Sequence, residues 1–233
     1  MNNVILSLKY PQFADELRRR GYHVIASESV DCLIPYERDH ADLQCLILDD
    51  TAFVLSSCKM LAHALGGLHR VISCGSDIGA DYPANVALSA AAVGRYVIAR
   101  TDSLDENVRE YCENNGYKLI NVRQGYAKCG CAIISDNAII TADKGIFNSL
   151  KETNIDVLLI EEGRVRLEGA PYGFIGGASG PDIRDGKRIL YFCGDVTGHP
   201  DYTRIKEFCE RHGTKIVSLS DDALTDIGGM VFC

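Results

Sequence analysis

Five short segments of this 233-residue chain gather most of the side chains able to do chemistry. They are Glu37-Arg38-Asp39-His40-Ala41-Asp42, the stretch from Cys74 to Asp81, Arg123 to Cys131, Tyr172 to Gly177, and Asp226-Ile227-Gly228-Gly229. In His40-Ala41-Asp42 an imidazole and a carboxylate stand two positions apart at the head of an apolar run, which suits proton transfer by the imidazole. The plainer alternative is a loop histidine. Asp77, Asp81 and Asp226 can hold a cation through charge-assisted hydrogen bonds, or cap turns beside glycine. Arg123 and Lys128, with Tyr126 between them, would repel a purely cationic ligand. They suit a ligand that also carries a carboxylate, or an anion. Glycine in four of the five segments lets backbone come close to whatever is bound.

The ten cysteines do not read as a metal or redox centre. Cys129 and Cys131 sit two apart and are expected on opposite sides of one strand, a poor geometry for chelating one ion. No second Cys or His pair has zinc spacing, and no Cys-x-x-Cys occurs. Gly173 to Gly180 is rich in glycine but lacks the spacing of a nucleotide loop. No metal and no cofactor is expected.

The elements that must position these segments repeat. Five times a helical stretch stops at a short turn and hands over to a β-branched run, at Gly21, Gly67, Gly116, Asn154 and Gly213. Gly or Asn there is expected to supply a left-handed helix exit. Before each helix lie two short apolar runs: Cys45 to Leu48 and Phe53 to Leu55, Val86 to Ala92 and Tyr96 to Ala99, Cys131 to Ser135 and Ala138 to Thr141. In the fifth unit Gly177 to Gly180 and Ile189 to Phe192 flank a loop from Pro181 to Gly186. The unit is therefore strand, strand, helix, strand. The first unit, Val4 to Leu8 followed by a helix from Pro11, lacks its opening strand, while Gly228 to Cys233 is a strand left over. Pairing the two closes a ring and removes exposed sheet edges. The chemistry-bearing segments all precede first strands, so they converge on the centre of such a ring. Ser103-Leu104-Asp105-Glu106 reads as a capping box, and Cys112 and Cys209 fall on apolar helix faces as core residues.

Composition narrows the function. With 46% hydrophobic residues the chain can build a substantial core, and no Pro/Ser-rich linker divides residues 1–233, so one domain is expected. A net charge of −8 without a basic stripe argues against nucleic acid and is compatible with a cationic ligand. No stretch approaches the roughly 20 apolar residues of a membrane span, and no basic-then-apolar leader opens the chain. Reduced thiols in the cytoplasm are the expectation.

The repeated unit closed by Gly228-Gly229-Met230-Val231-Phe232-Cys233 resembles the pentein fold of the guanidino-group-modifying enzymes. These are five-bladed α/β propellers that include arginine and agmatine deiminases, dimethylarginine hydrolases and amidinotransferases. Gln124 to Cys129, Phe192 to Asp195 with His199-Pro200-Asp201, and Leu224 to Gly229 are similar to a bacterial branch of that superfamily. The resemblance implies a cysteine nucleophile at Cys233, where the Gly-Gly-x-x-x-Cys signature places it. It also implies carboxylates around a planar cation and a histidine that protonates the leaving amine and then activates water. Tyr126-Ala127-Lys128 stands where the family has its His-x-Asp or His-x-Lys, whereas His-x-Asp occurs here at His40 and Asp42. Two functions follow. One is a cysteine-dependent hydrolase or transferase on a small guanidino or amino-acid-like compound, with Cys233, His40 and Asp42 catalytic. Asp77, Asp81, Arg123, Tyr126, Lys128 and Asp226 then line the substrate. The other is a degenerate propeller that binds a small molecule or a partner through its channel.

Overall fold

The computed structural model describes residues 2–75 and 78–233. Its first unit contains β1 (Asn3–Leu6), α1 (Pro11–Arg19) and β2 (His23–Ala26). The second contains α2 (Ala41–Gln44), β3 (Cys45–Leu48), β4 (Thr51–Leu55), α3 (Lys59–Leu65) and β5 (Arg70–Cys74). Then come β6 (Ala91–Val93), β7 (Tyr96–Ala99), α4 (Glu106–Asn114) and β8 (Lys118–Asn121). The fourth unit holds α5 (Ala127–Gly130), β9 (Ala132–Ser135), β10 (Ala138–Thr141), α6 (Lys144–Ser149) and β11 (Asp156–Leu159). The fifth holds β12 (Ser179–Arg184), β13 (Lys187–Phe192), α7 (Tyr202–Arg211) and β14 (Thr214–Ser218), and β15 (Val231–Phe232) follows.

These strands make five three-stranded sheets among the described residues, so the fold is mixed α/β. In every sheet the middle strand pairs antiparallel with one neighbour and parallel with the other, the parallel partner being reached through a helix. The first sheet takes its antiparallel member from the far end of the chain, with Val4 opposite Phe232 and Ile5 opposite Val231. Phe232 also stacks on Tyr191 of β13 at 5.4 Å and meets Tyr22 edge-on at 5.3 Å, tying β15 to the fifth unit as well as the first.

Local chemistry explains where this differs from the expectation. Gly21, Gly116 and Gly213 are left-handed, but Gly67 and Asn154 are not. At the second exit the N–H groups of Leu68 and His69 both bond to the Leu65 carbonyl, so no left-handed residue is needed. At the fourth, the Thr153 hydroxyl accepts the Ile155 N–H. The box at Ser103 does not form. Its hydroxyl bonds to Asp102, and Asp105 caps α4 by accepting the Asn107 N–H. The loop expected from Pro181 is strand: Pro181 pairs with Leu190, on an edge strand where its missing N–H costs nothing. The run expected from Val86 shortens to β6, because the Ser89 N–H bonds back to the Val86 carbonyl and makes a turn there. Cys112 and Cys209 are fully buried in the core.

Candidate functional site

Four of the five segments that lead into the first strands meet, hydrogen-bonded one to the next, and Asn85, four residues past Asp81, links two of them. The Asp42 N–H donates to the Gly228 carbonyl at 3.0 Å, and the N–H groups of Ile227 and Gly229 both donate to the Gly177 carbonyl. Gly177 in turn donates to the Cys129 carbonyl at 3.0 Å. From the same short helical segment, Tyr126 accepts a hydrogen bond from Asn85 Nδ2 at 2.8 Å, and Asn85 also donates to Glu37 at 3.0 Å. Glu37 lies three residues before His40, which returns the circuit to its start. Glycine is required at two of these junctions. A β-carbon on Gly177 would overlap the Asp226 carboxylate, and Gly228, left-handed at φ +77°, is packed directly on His40.

Three carboxylates are buried at this meeting point: Glu37, Asp42 and Asp226, none more than 6% exposed. Asp226 accepts the N–H groups of Phe174 at 2.8 Å and Gly228 at 2.9 Å. Glu37 accepts from Asn85 and from the Tyr126 hydroxyl at 3.2 Å. Asp42 Oδ2 accepts the Cys129 thiol at 2.8 Å, while Asp42 Oδ1 has no hydrogen-bond partner among the described residues. No Lys or Arg among the described residues pairs with any of the three; the ion pairs lie elsewhere. Burial pushes the Asp226 carboxyl above the usual range; nearby His40 pulls it down and Asp42 pushes it up. Burial does the same to Glu37, against hydrogen bonds from Tyr126 and Asn85 and the attraction of His40. His40, which acts on both carboxyls, is itself buried.

An aromatic row reaches from the surface to this cluster. Tyr82 stacks on Tyr126 at 5.7 Å, and Tyr126 on Phe174 at 6.1 Å; Tyr82 is exposed, whereas the Tyr126 hydroxyl bonds Glu37 and the Phe174 backbone N–H bonds Asp226. Such ring faces attract cations.

Of the residues singled out from sequence, His40, Asp42, Asp226 and, through Glu37, Tyr126 come together. Cys233 does not enter this hydrogen-bond network among the described residues: it is half-buried, packs on the core around β3, and its backbone pairs with Asn3. Burial alone pushes its thiol up to about 11, with no charged neighbour contributing. Lys128 lines a cavity of about 180 Å³ with Cys45, Ala92, Val231 and Phe232. Asp81 and Arg123 are exposed. Asp77 lies outside the described residues. Cys129 and Cys131 are not on one strand, because Ala127–Gly130 is a helical turn. Three members of the cluster, Glu37, Asn85 and Cys129, were not read from sequence. The signal for Cys129 was Gly130, which breaks the strand alternation assumed there.

Comparison with known proteins places this geometry. The model of a family described as "Family of unknown function (DUF6873)" matches residues 5–231. No curated protein matches. Among solved structures, a mutant of DDAH from Pseudomonas aeruginosa complexed with citrulline aligns with a TM-score of 0.58 at 11% identity, covering 94% of this chain and 92% of its own. The amidinotransferase SxtG from Microseira wollei gives 0.52 at 11% identity, with 97% and 93% covered. C. jejuni agmatine deiminase gives 0.53 at 12% identity, with 94% and 86% covered. The chain shares the fold of these three structures, which is the fold its repeated unit resembles.

Proposed function

The chain belongs to the DUF6873 family, and on that premise and its pentein fold we propose that it acts on a small guanidino or amidino compound held at Asp42 and Asp226. The observation that carries this reading is the buried Asp42 carboxylate with an unpartnered oxygen, beside two further buried carboxylates and with none of the three ion-paired to a lysine or arginine among the described residues. An isolated buried anion is costly, and three within one cluster more so. A planar cation with several N–H donors relieves that cost, since carboxylates bind a guanidinium through paired, charge-assisted bonds. Tyr126 and Phe174 offer the ring faces that flank it.

In this reading residues 1–233 form one closed five-bladed ring, and the hydrogen bonds that join four of the lead-in segments, two of them also through Asn85, support it. The reaction is hydrolysis or transfer at the central carbon. Asp42 and Asp226 orient the cation, and His40 protonates the departing amine and then takes a proton from water. A protein in a reducing cytoplasm, acting on a soluble small molecule, fits ten free thiols. No helix among the described residues is long and apolar enough to cross a membrane.

One observation favours binding without turnover. The Tyr126 hydroxyl, where the superfamily's motif has histidine, is engaged with Asn85 and Glu37. The test is an assay of ammonia and ureido products over a panel of guanidino compounds. Turnover that disappears in His40→Ala while the unfolding midpoint is kept is the expected result. An active His40→Ala protein removes the histidine from the reaction, and binding with no turnover by the native chain leaves the second reading standing.

A further inference from the structure

Two thiols compete for the role of nucleophile, and the structure separates them. Cys129 Sγ donates to Asp42 Oδ2 at 2.8 Å, is 2% exposed, and its backbone carbonyl is fixed by the Gly177 N–H. The other oxygen of that same carboxylate is the unpartnered one, on a side chain 1% exposed. A guanidinium that bonds Asp42 Oδ1 therefore lies against the thiol on Oδ2. Cys233 has no such neighbour: it sits beside Cys45, on the apolar core around β3.

We propose that Cys129, rather than Cys233, is the thiol that attacks the central carbon of the bound cation. This rests on the cation reading above and deepens it. In the empty protein Cys129 is a neutral donor, because burial and then the Asp42 and Asp226 charges oppose its ionisation. A bound cation reverses the sign of that local field. The Sγ proton passes to Asp42 along the existing hydrogen bond as the S–C bond forms and the C=N electron pair moves to nitrogen. Protonated His40 gives its proton to the departing amine, whose C–N bond breaks to leave a thiouronium on Cys129. His40 then takes a proton from water, whose oxygen bonds to the carbon. The S–C electrons return to sulfur, which recovers its proton from Asp42, and the remaining hydroxyl proton leaves to solvent as the C=O of the ureido product forms. The thiol is thus reactive only when a cation is present, which an ordinary reactive cysteine is not.

The test treats native protein with 2-chloroacetamidine and, separately, with neutral 2-chloroacetamide, and maps modified cysteines by mass spectrometry. Exposed Cys32 reports general reactivity, and buried Cys112 and Cys209 report intact fold. The expected result is Cys129 modified about a hundredfold faster by the amidine than by the amide, roughly what one charge-assisted pair supplies. That preference should be suppressed by competing agmatine and lost in Asp42→Asn. Modification of Cys233 instead, with the same competition, overturns this assignment and leaves the cation site standing. Equal rates with both reagents also overturn it. Agmatine binding to Cys129→Ala, followed by calorimetry, then tells whether the cation site has failed too.

Discussion

Gly177→Ala is expected to give no folded protein at room temperature. A β-carbon there overlaps Asp226 Oδ1 and Cγ, and Asp226 has nowhere to go because Phe174 and Gly228 hold its two oxygens. Moving the Gly177 backbone instead breaks its bonds to Cys129, Ile227 and Gly229, which join three of the five lead-in segments. Overpacking where neighbours can yield costs about 1–3 kcal/mol. Orphaning a buried N–H costs about 1–3 kcal/mol more, and three are at stake, those of Gly177, Ile227 and Gly229. The total approaches the whole stability of an ordinary domain, about 5–15 kcal/mol. Gly186→Ala is the contrast: φ is +72°, but a β-carbon would meet nothing within 4 Å. Its cost is left-handed strain alone, about 1–2 kcal/mol. Denaturant midpoints of the two variants check the difference. A Gly177→Ala protein as stable as Gly186→Ala would mean that Asp226 is not held as described.

Deleting Gly228 to Cys233 is expected to produce aggregated chain. The deletion removes the antiparallel partner of β1 and exposes an edge that carries Val4 and Ile5, both 0% exposed in the intact protein. It also removes buried Met230, the Phe232 ring between Tyr22 and Tyr191, and one of the two N–H groups on Asp226. Truncating one buried Met or Phe costs about 2–5 kcal/mol. Soluble yield and light scattering report the outcome; a soluble monomer with an unchanged unfolding midpoint would refute the role given to this strand.

The pairing of β15 with β1 was legible because the first unit lacked a strand and the last had one too many. Helix exits at Gly21, Gly116 and Gly213 were legible because left-handed backbone is a local demand that glycine alone meets cheaply. The lead-in segments resisted for the same kind of reason. Ala41–Gln44 and Ala127–Gly130 are single helical turns, too short to show a period, so Cys129 was given a strand geometry it does not have. Asp42 and Cys129 meet across 87 positions, and Glu37 and Tyr126 across 89. Such contacts are products of the fold, and no local pattern announces them. The motif that suggested Cys233 is a statement about sequence position. Proximity to charge, on which nucleophilicity depends, belongs to the fold.

The central claim is that the carboxylate cluster binds a guanidino or amidino cation. Calorimetric titration of the protein and of Asp42→Asn with agmatine, arginine and methylguanidine, over a range of pH, tests it most directly. The facing titratable groups are Glu37, His40, Asp42, Tyr126, Cys129 and Asp226, with Lys128 on the neighbouring turn. Because the folded Asp226 and Glu37 carboxyls titrate above their usual range, their protonated forms stabilise the empty protein at low pH, and that advantage is lost as pH rises through the folded values. Binding a cation favours the ionised forms, so affinity should climb through the same window with release of protons. Asp42→Asn should weaken binding by roughly 10- to 100-fold, about what one charge-assisted hydrogen bond contributes. Binding that is absent in the native chain, or unchanged in Asp42→Asn and flat with pH, would contradict the account.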